Sequence, residues 1–105
     1  MEGKQDVDAV FQALADPTRR EVIRLLSDGP GTATEIADRL PVSRQAVSKH
    51  LVALDEAGLV TGERAGREVR YRLTPRPMAD AMSWMAEVGA EWDVRLERLR
   101  RHLKR

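Results

Sequence analysis

The apolar residues of this 105-residue chain change their spacing twice, and that change limits its fold more than any other feature. Up to Gly58 they recur at helical intervals. Val7, Val10, Phe11 and Leu14 form one set, and Val22, Ile23, Leu25 and Leu26 a second. Ile36, Ala37 and Leu40 form a third, and Val47, Leu51 and Leu54 a fourth. From Leu59 the period falls to two, with Val69, Tyr71 and Leu73 alternating with Arg70 and Arg72. From Met78 to Leu103 it returns to a helical seam. Helical spacing places residues on one face of a helix, and alternation places them on one face of a strand. The expected fold is therefore mainly α with a small β-hairpin, in the order α-α-α-α-β-β-α.

Punctuation supports these divisions. The first helix covers residues 6–15. Asp16 is a good N-cap and Pro17 suits the first helical position, where its missing N–H costs nothing. The second helix runs to about Ser27 and stops at Asp28-Gly29-Pro30-Gly31. Thr32-Ala33-Thr34-Glu35 fits a capping box, which opens a short third helix to Leu40. After Pro41-Val42, Ser43 caps a fourth helix that continues to Ala57 and ends at Gly58. Ala65-Gly66 is the expected hairpin tip. Thr74-Pro75-Arg76-Pro77 breaks the second strand and opens the last helix at about Met78.

A chain of this length forms one domain over residues 1–105. Within it, residues 6–77 form the expected binding core and 78–104 a dimerisation helix to which 6–15 contributes. The chain has no cysteine, which excludes disulfides, thiolate catalysis and thiolate metal sites. The opening MEGKQDVDAV has no apolar signal region, and no apolar run approaches membrane-spanning length. The expectation is a cytoplasmic protein with no membrane partner. Net charge is +1, but residues 59–77 hold five basic and two acidic groups. A local basic segment is compatible with a nucleic-acid partner.

A short helix, a tight turn and a second helix make a helix-turn-helix, and the hairpin that follows is a wing. In such proteins the second helix enters the major groove of DNA, led by its N-terminal residues. Here its exposed side carries Arg44, Gln45, Ser48 and Lys49, within SRQAVSKHL. Arginine pairs with guanine O6 and N7, glutamine with adenine N6 and N7, and lysine and serine suit phosphates or base edges. Arg64 and Arg67 flank Gly66 and suit phosphates or a minor groove. Thr32 and Thr34 are caps and candidate phosphate contacts at their helix start. Arg70 and Arg72 lie between phosphate contact and plain solvent exposure. His50, beside the apolar line, reads as a hydrogen-bonded packing residue.

The segments ALADPTRREVIRLL (13–26), EIADRLPVSRQAVSKHLVALDEAGLV (35–60) and RAGREVRYRLT (64–74) resemble the ArsR-type winged-helix transcriptional regulators of bacteria. The likeness covers about residues 8–103. It implies a homodimeric DNA-binding repressor, with Ser43–His50 as the recognition segment. Many members of that family sense metals, and this chain departs from them. The third helix, TEIADRL, lacks their cysteines. On the last helix Asp93 and His102 stand nine apart with no second histidine. Metal held by imidazole and carboxylate needs about three or four ligands. The likeness therefore points to the non-metal-sensing branch, with no cofactor and an inducer, if any, of unknown identity.

The last helix carries Met78, Met82, Met85, Gly89, Trp92, Leu96, Leu99 and Leu103, spaced alternately by four and three. This is a coiled-coil period held for over three heptads. Such a helix outreaches a small winged domain, so Met78, Met82, Met85, Trp92, Leu96 and Leu99, with Val10, are the expected dimer seam. A two-fold dimer would offer two recognition helices to a pseudo-palindromic duplex. Nothing suggests catalysis: there is no glycine-rich phosphate loop, and neither histidine has a useful partner. Two other readings are a winged-helix module that binds protein and a metal-responsive sensor.

Overall fold

The computed structural model describes residues 2–103, with side chains from Val7 onward. Residues 1, 104 and 105, which the expected domain includes, lie outside the described residues. Helix α1 (Glu2–Leu14) starts ahead of the expected residue 6 and ends close to its expected limit. Helix α2 (Pro17–Leu26) begins as its sequence dictates. Pro17 sits in the first turn, and the Asp16 carboxylate accepts from the Thr18 and Arg19 N–H groups at 2.7 and 3.2 Å.

Strand β1 (Gly31–Thr32) is an addition to the expected α-α-α-α-β-β-α order. Two residues have no period to read; the strand exists because a later strand offers it an edge. Helix α3 (Ala33–Ala37) opens with the capping box: the Thr32 hydroxyl accepts from Glu35 N–H, and the Glu35 carboxylate accepts from Thr32 N–H. The helix stops three residues short of Leu40. Beyond it Arg39 N–H donates to Ile36 and Leu40 N–H to Ala37, so the chain tightens into turns. Leu40 still packs against the core.

Helix α4 (Arg44–Glu56) is capped by Ser43, whose hydroxyl accepts from Ala46 N–H at 3.1 Å. Strands β2 (Val60–Ala65) and β3 (Glu68–Leu73) form the hairpin. The sheet order is β1-β3-β2, antiparallel throughout, with Gly31 opposite Tyr71 and Gly62 also opposite Tyr71. Helix α5 (Pro75–Leu103) starts three residues before the expected Met78. Both prolines fall in its first turn, where backbone N–H groups have no intrahelical partner to lose.

One cluster fills the centre. Val10, Val22, Leu26, Ile36, Val47, Leu51, Leu54, Leu59 and Val60 are all buried, and α5 adds only Ala81. Fully enclosing a side chain such as Leu51 or Leu54 contributes about 1.5–3 kcal/mol relative to exposure. The cluster therefore fixes α4 by its apolar side. It also corrects one expectation: Val10, placed in the dimer seam above, is 0% exposed and belongs to this core. Its helical face is apolar as read, but α2 and α5 of the same chain meet that face. Beyond Trp84 and Glu87, which still meet α1, α5 runs clear of the body, and the molecule measures 67 × 32 × 20 Å.

Candidate nucleic-acid interface

Helix α4 divides cleanly. Val47, Leu51 and Leu54 are buried, while Arg44, Gln45, Ser48 and Lys49 are exposed. His50 sits at the margin, half-buried, and its Nδ1 accepts from Arg19 Nε at 3.4 Å. This bond ties the middle of α4 to the first turn of α2. It agrees with a packing role for His50.

The wing meets the same face. A cleft of about 150 Å³ between α4 and the hairpin is lined by Arg44 and Ser48 from one side and Arg67, Val69 and Tyr71 from the other. Two glycines make this approach feasible. Gly66 takes φ +67, and Ala65 pairs with Glu68. The tip is thus the two residues Gly66-Arg67, with positive φ at the first only, the sign pattern of a type II′ turn. Arg67 is itself a tip residue, one position beyond the Ala65-Gly66 tip expected above. Gly62 lies under Tyr71, and a Cβ there would come within 2.7 Å of Val69 Cγ1 and 2.9 Å of Tyr71 Cε1. Its absence lets the rings and branches of β3 lie flat across β2.

The charges separate into two groups. Arg70 is paired with Glu35 at 3.3 Å, and Arg72 with Glu63 at 3.3 Å. Among the described residues, Arg44, Lys49, Arg64 and Arg67 form no ion pair. All four are exposed. The Arg70–Glu35 contact also links β3 to the capping box of α3, so one carboxylate holds both the helix start and the wing. The bond from Thr32 N–H holds the Glu35 carboxyl below its usual range, burial opposes it, and the Arg70 charge adds to the lowering. For Asp16, burial acts to raise the carboxyl. The N–H bonds from Arg19 and Thr18 and the nearby His50 and Arg19 charges outweigh it, and the net direction is down.

The remaining candidates fall in different places. Thr32 is only 4% exposed, and its hydroxyl is engaged by the cap. The structure therefore uses its hydroxyl as a cap and encloses it away from solvent. Thr34 and Ser43 are exposed beside their helix starts. Met78 is half-buried against the core, whereas Met82, Met85, Trp92, Leu96 and Leu99 stand open, Met82 at 60% and Leu99 at 53%. Two features lie outside the polar pattern of the sequence. The Arg70–Glu35 link spans 35 residues, and no local pattern announces it. Val52, also exposed, shares the open face of α4, and its place seven residues after Gln45 was the available signal.

An α3-turn-α4 unit with an adjoining hairpin, its open face polar and basic, defines a winged helix-turn-helix. A helix-turn-helix domain family model matches residues 14–63. The transcriptional repressor SdpR of Bacillus subtilis is 37% identical over 76 residues, covering 72% of this chain and 84% of SdpR. An ArsR-like transcriptional regulator from Rhodococcus sp. RHA1 superposes with TM-score 0.79 at 40% identity, covering 96% of this chain and 95% of that one. A homodimeric winged helix-turn-helix DNA-binding domain from Mycobacterium bovis, a possible ArsR-family regulator, superposes with TM-score 0.64. It is 30% identical and covers 90% of this chain and 84% of that one. The chain belongs to the ArsR family of helix-turn-helix transcriptional regulators. It is a DNA-binding regulator and not an enzyme. Among the described residues, no helix is long and apolar enough to cross a membrane.

Proposed function

We propose that this chain is a homodimeric repressor that reads a pseudo-palindromic operator through residues 43–57 and the wing at 64–67. The observation that carries the reading is the sorting of cations. Among the described residues, Arg70 and Arg72 on the wing's outer face are held by carboxylates, whereas Arg44 and Lys49 on α4 and Arg64 and Arg67 at and beside the wing tip form no ion pair. Free arginine and lysine release counterions when they meet phosphate, so operator affinity depends steeply on salt. Arg44 and Gln45 supply base contacts, Ser48 and Lys49 base edges or phosphates, and Arg64 and Arg67 the flanking backbone. Ser43 and Thr34 add phosphate contacts at their helix starts; Thr32 is left to its cap.

A second copy covers the open seam of α5. The M. bovis neighbour, described as homodimeric, supports this. So does the charge order along the helix. Residues 75–93 carry Arg76 against Asp80, Glu87, Glu91 and Asp93, whereas residues 94–103 carry Arg95, Arg98, Arg100 and Arg101 against Glu97. Two such helices laid antiparallel bring opposite charges together along an apolar centre, which favours that pairing over the parallel one. We also place the chain in the non-metal-sensing branch. It has no cysteine, and on α5 Asp93 and His102 stand nine apart with no second histidine. Selection of bound duplexes from random DNA tests the whole reading. An enriched inverted repeat with a steep salt slope is expected, and the absence of any enriched sequence would sink it.

A further inference from the structure

We propose that Val52 reads DNA as well, by packing its isopropyl group on the C5-methyl of a thymine in the major groove. The inference rests on the DNA-reading role proposed for α4. Among the described residues, Val52 is the exposed large apolar side chain outside α5, at 53%. An isolated apolar residue on a surface is ordinary; its position on α4 is not. At about 100° per residue, Val52 projects about 20° from Gln45, about 40° from Ser48 and about 60° from Lys49. It lies roughly 130° from the middle of the side buried through Val47, Leu51 and Leu54. It therefore stands near the centre of the open face.

Neighbouring elements leave it there. The cleft between α4 and the wing takes Arg44 and Ser48, and the cleft between α1 and α4 takes Ala53 and Glu56. Val52 lines neither. Along the axis it is about 10 Å beyond Gln45, within the span of a groove about 12 Å wide. The next exposed side chains are Asp55 and Glu56, both carboxylates that phosphate repels. The face thus runs from basic and polar to apolar and then to acidic, and contact with DNA ends at Val52. Valine offers no hydrogen bond to a phosphate or to a polar base edge. The one complementary group on a major-groove edge is the thymine methyl.

The test removes that methyl from the DNA. A duplex selected by the full chain is resynthesised with deoxyuridine replacing each thymine in turn, and binding is measured for wild type and Val52→Ala. Loss of a contact the size of one methyl corresponds to about a fourfold change per half-site. Wild type should lose about that much at one thymine per half-site. Val52→Ala should bind the thymine duplex more weakly and be indifferent to deoxyuridine at that position. Alanine is a better helix former than valine, and the site is exposed, so the variant should fold normally. A melting curve checks that. Identical deoxyuridine profiles for the two proteins overturn this inference alone. If no duplex enriches with wild type, the DNA-reading role of α4 fails first.

Discussion

Helices α4 and α5 are both amphipathic, and they end up completed in opposite ways. Every large apolar residue on the inner side of α4 is buried within its own chain, and what remains open is mostly polar. In α5 only Ala81 is buried, and what remains open includes Met82, Met85, Trp92, Leu96, Leu99 and Leu103 along the seam, with Trp84 and Val94 beside it. The core fixes α4 without help, so its outer face is free to meet a polyanion. The far half of α5 has no intramolecular cover. Phe11 and Trp84 meet edge to face at 5.7 Å near its start, and beyond that the seam runs free. A face left polar asks for nucleic acid, whereas one left apolar asks for a protein partner. The same chain carries one of each.

The contrast breaks most readily at the seam. Glutamate at both Leu96 and Leu99 puts charge into the apolar seam and sets it against the partner's acidic 75–93 segment, at a cost of several kcal/mol. Dimerisation should weaken by about a thousandfold or more. Sedimentation should show a folded monomer, and operator binding should collapse with it. A variant that still sediments as a dimer would place the interface elsewhere. Leu51→Ala attacks the other side of the contrast, because that side chain is wholly enclosed in one protomer. It should lower unfolding free energy by about 2–5 kcal/mol in urea melts, whatever the oligomeric state. Leu99→Ala, by comparison, should weaken the dimer, lower its stability most at low protein concentration, and leave the protomer core alone.

Substitutions on the open face of α4 should leave melting unchanged and alter DNA binding. Arg44→Ala should cost about 1–3 kcal/mol on the operator and relax one or two base positions. Arg67→Ala should instead weaken all sequences alike and reduce the salt slope by about one. Equal losses on operator and random DNA for both variants would show that α4 holds the duplex without reading it.

How much of this was legible depended on distance along the chain. Asp16 with Pro17, Thr32 with Glu35, and Ser43 with Ala46 are complete within three residues, and all three caps formed as their residues indicate. The division of α4 into buried and open sides was equally local, because the helical period alone fixes it. The period says which residues share a face but not what meets that face. Val10 therefore went to the seam in expectation and to the core in fact. Strand β1 and the Arg70–Glu35 link arise only once β3 has folded back beside residues 31–35. No window of sequence contains both halves of either. The site was legible where α4 alone defines it, and obscure where the wing does.

Acid sharpens the comparison further, because Asp16 and Glu35 both brace the body around α4. Their carboxyls are held below their usual range when folded. A carboxylate of lowered pKa adds stability above its unfolded value and loses it as pH falls through the folded one. Melting temperature should therefore hold steady above about pH 5 and decline as pH drops below about 4. Glu35→Gln should make that decline shallower. An unchanged acid limb would show that the capping box adds nothing to the pH dependence.

The smallest effect expected has the opposite sign from the other DNA-binding variants. Arg72 is held by Glu63 on the exposed face of the wing, with both side chains more than half in solvent. Such a pair is worth about 0–1 kcal/mol, so phosphate can compete with it. Glu63→Gln removes a negative charge near the duplex and frees a second wing arginine at once. Affinity should rise about two- to fivefold at low salt, and the gain should vanish as salt screens the added attraction. Arg72→Ala in the wild-type background should change little, because its charge is already spent on Glu63. If Glu63→Gln weakens binding, Glu63 itself faces a donor on the DNA, and the division between held and free cations does not mark the interface. If it has no effect at any salt, the outer face of the wing points away from the duplex, and only Arg64 and Arg67, beside and at the tip, reach it.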